Sequence, residues 1–404
     1  MTHHPTSSLS PESRGDLLVV GGGISGLSAS LALAASGLTC EIFERRSEDA
    51  FAGMGFLLTP NGVTALEALC RHAGVELSAD DIGVPLTEMC LFSHRGAPIA
   101  SRDAGGAYGV SRPLLLRALT SSCERLGVRR HLDRPLASAR LEGDGVHLMF
   151  EGSVAREVRD ARCLLGADGV RSPLRSALFP TTSLSRSEIL EFVGVSPLSA
   201  LLALPLSGPL GLGGVRDPRA LVKLQDAERR LAFGYMPLPS DEVIWYAQMA
   251  QEDGEMPYED GRNRRAALIE RFEGWPPVVH ALLSSCPFER TYRWDTCDLP
   301  PLATARCGGV LLIGDAAHAS LTLSSQGVSG ALEDALELAL LADELHLSAH
   351  AGSAERLAAA WRDLTARFEE RRAPVWRRRY DEARSLQRDF LSGDTSRGVP
   401  VVSP

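Results

Sequence analysis

No C-x-x-C pair occurs among the eight cysteines (40, 70, 90, 123, 163, 286, 297 and 307), which are scattered through 404 residues. That spacing excludes a zinc knuckle and a small disulfide-built scaffold, and it reads as reduced thiols in a cytoplasmic protein. Basic residues are outnumbered, 42 Lys plus Arg against 51 Asp plus Glu, and a net charge of -9 leaves no footprint for nucleic acid. The opening MTHHPTSSLSPESRGD has no apolar core, so it reads as a polar leader rather than a secretion signal. One stretch raises a membrane question, the uncharged run from Phe192 to Val215, but Pro197, Pro205 and Pro209 interrupt it. Core strands or a pocket wall suit it better than a spanning helix. Neither H-E-x-x-H nor a Cys/His cluster is present, so no metal is predicted. G-x-S-x-G is missing too, because Ser329 lies in G-V-S-G.

What is present begins at Leu17 to Val20, an apolar run with the composition of a buried parallel strand. It ends in GGGISG, after which Leu27, Leu31 and Ala34 or Ala35 recur at helical spacing until Gly37, and Cys40 to Phe43 supplies a second strand. The spacing Gly21-x-Gly23-Ile24-Ser25-Gly26 therefore sits in the strand-to-helix context of a dinucleotide fingerprint. Gly21 permits the tight turn, Gly23 lets the backbone approach a pyrophosphate, and Gly26 lets helix and strand pack closely. Glu44 follows 18 positions after Gly26, where a carboxylate can accept both hydroxyls of an unphosphorylated ribose, as in NAD or FAD.

Two further apolar strands, Arg162 to Leu165 and Gly309 to Ile313, each run into a turn. The first gives CLLGADGVRSPLR, with Asp168 at the strand end and Ser172-Pro173 as N-cap and first helical residue. The second gives VLLIGDAAH, which delivers Asp315 to the carboxyl edge of a sheet, and a helix is predicted to start near Gln326-Gly327.

In this order, GGGISG with Glu44, GADGVRSPLR and LIGDAAH resemble the single-component (group A) FAD-dependent aromatic monooxygenases of the para-hydroxybenzoate hydroxylase family. MGFLLTPNG, GVSRPLLLRAL, FGYMPLP and FEERRAPV are weaker echoes, so the likeness spans about residues 15 to 385. The resemblance implies a resident FAD, with NADH or NADPH as a transient cosubstrate that reduces the flavin. O2 then gives a flavin hydroperoxide, and one oxygen atom passes to an aromatic ring or an olefin. It further implies that Gly21, Gly23, Ile24, Ser25, Gly26, Glu44, Arg45, Gly55, Arg112, Leu136, Asp168, Asp315, Gly327 and Val328 lie against the cofactor. Where the family has a Pro four residues after the histidine and then Gly-Gln-Gly-x-Asn, this chain has Thr322 and Ser325-Gln326-Gly327-Val328-Ser329. The loop at the reactive edge is therefore expected to differ in shape. The W-x-W-x-I-P signature of flavin halogenases is missing.

The predicted class is α/β: a discontinuous Rossmann-like FAD-binding domain (14–78, 108–184 and 285–345), an inserted β-sheet substrate domain (79–107 and 185–284) and C-terminal helices (346–393). A leader (1–13) and a tail (394–404) flank them. From 185 to 284 the signals are all-β, with LAFGYM and VIWYAQM as a hairpin. Tyr235, Pro237, Trp245 and Thr322 are the candidate substrate-pocket residues. Trp245 and Tyr246 must face opposite ways, so at most one looks into a pocket. His318 reads as a loop-fixing residue rather than a base, and no catalytic residue is assigned. The expected substrate is a small apolar aromatic or polyketide-like molecule, handled by a monomer or homodimer. An NAD-linked dehydrogenase without flavin, a Baeyer–Villiger oxygenase and a reductase stay open.

Overall fold

Val20, Gly166 and Leu312 stand in one row at the carboxyl ends of three parallel strands, Leu17–Val20, Leu164–Gly166 and Val310–Leu312. The computed structural model that shows this describes residues 16–47, 54–152, 156–204, 218–251, 261–287, 291–294 and 296–394. The expected leader 1–13, all of the tail but residue 394, and residues 205–215 of the uncharged stretch with Pro205 and Pro209 lie outside it. Cys40–Phe43 pairs with the other side of Leu17–Val20. Arg129–His131 and the antiparallel Arg306–Cys307 complete six strands at the two edges. Every residue of the first two strands is buried, as expected of a parallel sheet covered on both faces. The helix Ile24–Ala35 packs against Gly327–Glu344 and Arg112–Arg125.

A second sheet of seven strands runs in the order Thr291–Trp294, Ile189–Pro197, Glu242–Ala250, Leu231–Leu238, Leu221–Asp226, Glu88–Ser93 and Pro98–Asp103. All its pairs are antiparallel except the one between Leu221–Asp226 and Glu88–Ser93. The expected hairpin is its centre. One face of this sheet buries Phe233, Trp245 and Met249 against two helices, Gly261–Arg271 and Pro277–Ser285. The stretch read as all-β therefore contains helices as well: Leu268, Phe272, Val278, Val279, Leu282 and Leu283 bury one stripe of each on the sheet. The other face, with Leu91, Val193, Val195, Leu221, Met236, Leu238 and Ile244, packs toward Met54, Leu57, Ala104 and Ala107.

At that seam two glycines allow backbones to meet. A Cβ on Gly55 would lie 2.7 Å from Leu238, and one on Gly109 would lie 2.1 Å from the Pro237 carbonyl oxygen. The expected C-terminal helices are one helix, Ala354–Ser392, 39 residues long with Pro374 inside it. Its Trp361 is fully buried and donates to the Gly309 carbonyl at 2.8 Å, tying the helix to the parallel sheet. All eight cysteines are free thiols. Among the described residues no helix is long and apolar enough to cross a membrane.

Candidate cofactor and substrate site

The register of the parallel sheet brings the three sequence motifs to one edge, and contacts between their turns lock them together. Gly21 has φ +106°, and a Cβ there would come 2.3 Å from the Ala167 carbonyl oxygen, so the first turn rests on the second. Gly314 has φ +55°, and its Cβ would come 2.1 Å from Ser25 Oγ, so the third turn rests on the first helix. Arg175, itself buried, donates to the Val170 carbonyl at 2.5 Å and the Ala316 carbonyl at 2.9 Å, joining second and third turns. Ser172 caps its helix by accepting from the Arg175 amide at 2.8 Å. Asp168 Oδ2 accepts from the Leu174 amide at 3.0 Å, while its Oδ1 is buried with no hydrogen-bond partner. Burial pushes the Asp168 carboxyl up, against the pull of Ser172, Leu174 and Arg175.

The donor set suits an FAD laid along this edge. Gly23 is the N-cap of Ile24–Ala35 and offers no side-chain cap, and a Cβ on it would meet nothing within 4 Å. Open space therefore lies in front of uncapped N–H groups, where a pyrophosphate is favoured by both hydrogen bonding and the helix dipole. Ile24 is buried behind that turn. Glu44 Oε2 accepts from the Gly22 amide at 2.6 Å and Oε1 from the Arg46 amide at 2.9 Å. Each oxygen keeps a second lone pair for a ribose hydroxyl. Arg45 beside it is exposed, and Leu136 is half-buried at the head of the strand Leu136–Glu142, close to where Arg134 donates its amide to the Glu44 carbonyl.

At the other end, Asp315 is exposed to solvent, yet surrounding protein depletes its hydration and raises its carboxyl, against the pull of His318, Arg112 and Arg175. A Cβ on Gly327 would stand 3.9 Å from Asp315 Oδ1, so the start of the helix Gly327–Glu344, with Val328 half-buried next to it, faces the carboxylate. Burial and the nearby Arg46 draw the Arg112 guanidinium down, against the attraction of Asp315 and Glu44.

His318 is fixed. Its Nε2 lies 2.6 Å from Asp334 Oδ2 and its ring stacks on Trp376 at 4.6 Å.

Strand alternation decides the substrate candidates. Tyr235, Pro237 and Trp245 share the face that looks toward the helices Gly261–Arg271 and Pro277–Ser285. Trp245 is 1% exposed, donates to Ser196 Oγ at 3.1 Å and fills the space above Gly194. Tyr235 and Trp245 are thus core residues and not pocket residues, while Pro237 serves the seam through its carbonyl. Tyr246 points the other way, toward the parallel-sheet half of the molecule. On its face stand two charges that sequence reasoning missed, Glu191 and Lys223, together with Gln248. Thr322, from the loop between Asp315 and Gly327, donates to Glu191 Oε2 at 2.5 Å, so this face meets the site's third turn. The uncharged run that begins at Phe192 therefore borders a polar wall. A signal existed in each case, one charge inside an apolar strand: ILEFVGV and ALVKLQD.

The sequence matches the family described as FAD binding domain over residues 14–383. It is 28% identical over 330 residues to the aurachin C monooxygenase/isomerase of Stigmatella aurantiaca, covering 80% of this chain and 79% of that protein. It is 29% identical over 332 residues to the FAD-dependent urate hydroxylase of Klebsiella pneumoniae, with the same coverage of 80% and 79%. Among solved structures, Klebsiella pneumoniae HpxO complexed with FAD and uric acid superposes with TM-score 0.71 at 24% identity, over 95% of this chain and 88% of that one. CtdE in complex with FAD and a substrate superposes with TM-score 0.78 at 14% identity, over 96% and 93%.

Proposed function

The chain belongs to the FAD binding domain family and is an FAD-dependent, NAD(P)H-consuming monooxygenase, and from this premise we propose that it inserts one oxygen atom from O2 into a small aromatic or olefinic molecule by hydroxylation or epoxidation. When bound, the flavin supplies the redox chemistry, accepting reducing equivalents from NAD(P)H and activating O2. The protein's own residues supply position. In this reading Glu44 holds the adenosine ribose, the Gly21–Gly26 turn the pyrophosphate, and Asp315 the ribityl hydroxyls. Arg112 and the Gly327 and Val328 amides flank the ring, and the face of the second sheet that carries Tyr246 walls the substrate side and excludes water.

The observation that carries the reading is the meeting of Gly21 with Ala167, Gly314 with Ser25 and Arg175 with Ala316 at one sheet edge. A dehydrogenase using only the first turn leaves the other two unexplained. The similarity to an aurachin C monooxygenase/isomerase and a urate hydroxylase supports an aromatic substrate. Eight free cysteines support a reducing, cytoplasmic location.

The test is a visible spectrum of the purified protein followed by anaerobic addition of NADPH or NADH and then air. A flavin band that bleaches and returns with oxygen uptake, stimulated by an aromatic compound, is the expected result. A protein that takes up no FAD when FAD is supplied would overturn it.

A further inference from the structure

Lysine occurs once in the chain, at position 223, against 41 arginines that make up the rest of the 42 basic residues. That lysine sits in the middle of a strand, Leu221–Asp226, on the face of the second sheet that meets the Asp315–Gly327 loop. Across the sheet Lys223 is opposite Gly234, and Gly234 is opposite Tyr246. A Cβ on Gly234 would lie 2.1 Å from Tyr246 Cζ and 2.3 Å from its hydroxyl, so the phenol ring lies across the bare glycine in the row that leads to Lys223. One step along, Glu191 pairs with Gln248.

The polar atoms of this group are unequally committed. Glu191, 5% exposed, accepts from Thr322 and from the Gln248 side chain. Gln248 is 3% exposed, and with its amide nitrogen given to Glu191 its Oε1 is buried with no hydrogen-bond partner. Lys223 is half-buried and makes no hydrogen bond or ion pair among the described residues. Burial draws its ammonium down to about 8, a shift that the attraction of Glu191 opposes. A buried orphan acceptor has lost its water without a replacement, and a half-desolvated ammonium without a hydrogen-bond partner is likewise unfavourable. Together they describe a surface complementary to a ligand that carries an anionic oxygen beside a hydrogen-bond donor. An ammonium is a compact point charge that suits a single oxygen, whereas the forked guanidinium suits a bidentate partner.

We infer that Lys223 is the specificity-determining residue of the substrate site, receiving an ionised oxygen of the aromatic substrate, phenolate or carboxylate, while Gln248 Oε1 accepts from a neighbouring N–H or O–H of the same molecule. The inference rests on the monooxygenase reading and names the chemistry its substrate must carry. It replaces a wholly apolar substrate with one that is apolar in its ring and charged at one edge.

Three electron-poor probes test it without turnover: 4-nitrophenol, 4-nitrobenzoate and the neutral isostere 4-nitroanisole, titrated into the FAD-loaded enzyme. One of the two anions should bind at least about tenfold more tightly than 4-nitroanisole, and whichever it is identifies phenolate or carboxylate as the recognised oxyanion. In Lys223→Met that preference should vanish while flavin content and 4-nitroanisole affinity persist, and Lys223→Arg should restore only part of it. Because lysine is unique, protein grown on [ε-13C]lysine gives one side-chain resonance, which needs no variant. Its titration midpoint should move upward on binding the preferred anion. A resonance that neither anion moves, equal affinity for all three probes, or a preference that survives in Lys223→Met overturns the inference. If these results are obtained with FAD bound, the monooxygenase reading stands; failure of the wild-type protein to take up FAD would sink that reading instead.

Discussion

Asp334 Oδ2 lies 2.6 Å from His318 Nε2, and both side chains belong to a fully connected buried group. The same carboxylate accepts from the Gly314 amide at 3.1 Å, Arg372 Nε at 2.9 Å and Trp376 Nε1 at 3.1 Å. The long C-terminal helix, through Arg372 and Trp376, thus holds the turn that presents Asp315. Replacing Asp334 by Ala strands His318 and the buried Trp376 Nε1 and leaves Arg372 with Glu333 as its remaining carboxylate, so it should cost about 2–4 kcal/mol, measured as a lower urea midpoint, with FAD retention falling in parallel. His318→Asn should lower stability and FAD retention in the same proportion. A large loss of turnover with full flavin content and unchanged stability would instead make His318 a catalytic residue.

The same group predicts an acid sensitivity. Burial alone would raise the Asp334 carboxyl, but His318 and Arg372 outweigh it and hold it well below the usual carboxylate range. A carboxyl depressed in the folded state stabilises the fold above its unfolded value of about 3.9, and that contribution is lost as pH falls toward the folded value. The midpoint of thermal unfolding should therefore drop more steeply below about pH 4 in the wild type than in Asp334→Asn. Parallel curves for the two proteins would show that another carboxylate dominates.

Arg175 donates to carbonyls on two different turns, Val170 and Ala316. Charged hydrogen bonds contribute about 1.5–3 kcal/mol each, so Arg175→Met should destabilise by a few kcal/mol and loosen FAD. Arg175→Lys should recover less than half, because an ammonium cannot span both oxygens. Denaturant titration of the three proteins separates these outcomes.

The meeting of three turns at one sheet edge was legible in the sequence because its constraints are local. Gly21, Gly26 and Gly314 are demanded by close contacts at their positions, and Glu44 and Asp315 lie one and three residues past the end of a strand. Alternation also showed that Trp245 and Tyr246 part company. Which of the two faces the parallel-sheet half was not legible, because that is set by helices packed on the Trp245 side, whose stripe of Leu268, Phe272 and Val279 lies within a region of strand-like runs. The Glu191, Gln248 and Lys223 wall was hidden for a related reason. Its members are 57 and 25 positions apart in sequence, and only the register of four strands brings them to one face.

Asp315 and Glu44 grip opposite ends of the cofactor in the proposed arrangement, so their losses should be separable. Asp315→Ala removes an acceptor of ribityl hydroxyls, and Glu44→Ala removes both the ribose acceptor and the partner of the Gly22 amide. Each should weaken FAD binding roughly 10- to 100-fold, given about 1.5–3 kcal/mol per hydrogen bond to a charged group. Only Glu44→Ala should also weaken binding of free ADP. Fluorescence titration of apoprotein with FAD and with ADP reads both, and unchanged FAD affinity in the folded Asp315→Ala variant would remove its assignment.

The glycines of the first turn give the sharpest contrast, because the structure separates folding from binding between neighbours. A Cβ on Gly21 would meet the Ala167 carbonyl at 2.3 Å from a backbone at φ +106°, whereas a Cβ on Gly23 would meet nothing within 4 Å. Gly21→Ala should therefore destabilise the protein itself by at least about 2 kcal/mol, since neither the clash nor the strain is relieved without moving the Asp168 turn. Gly23→Ala should unfold at the same denaturant concentration as the wild-type apoprotein, yet bind FAD at least about tenfold more weakly, its methyl group standing where the pyrophosphate approaches the backbone. Apoprotein stability and FAD affinity measured on both variants decide the matter. If Gly23→Ala retains full affinity, the open space in front of the helix Ile24–Ala35 does not hold the pyrophosphate.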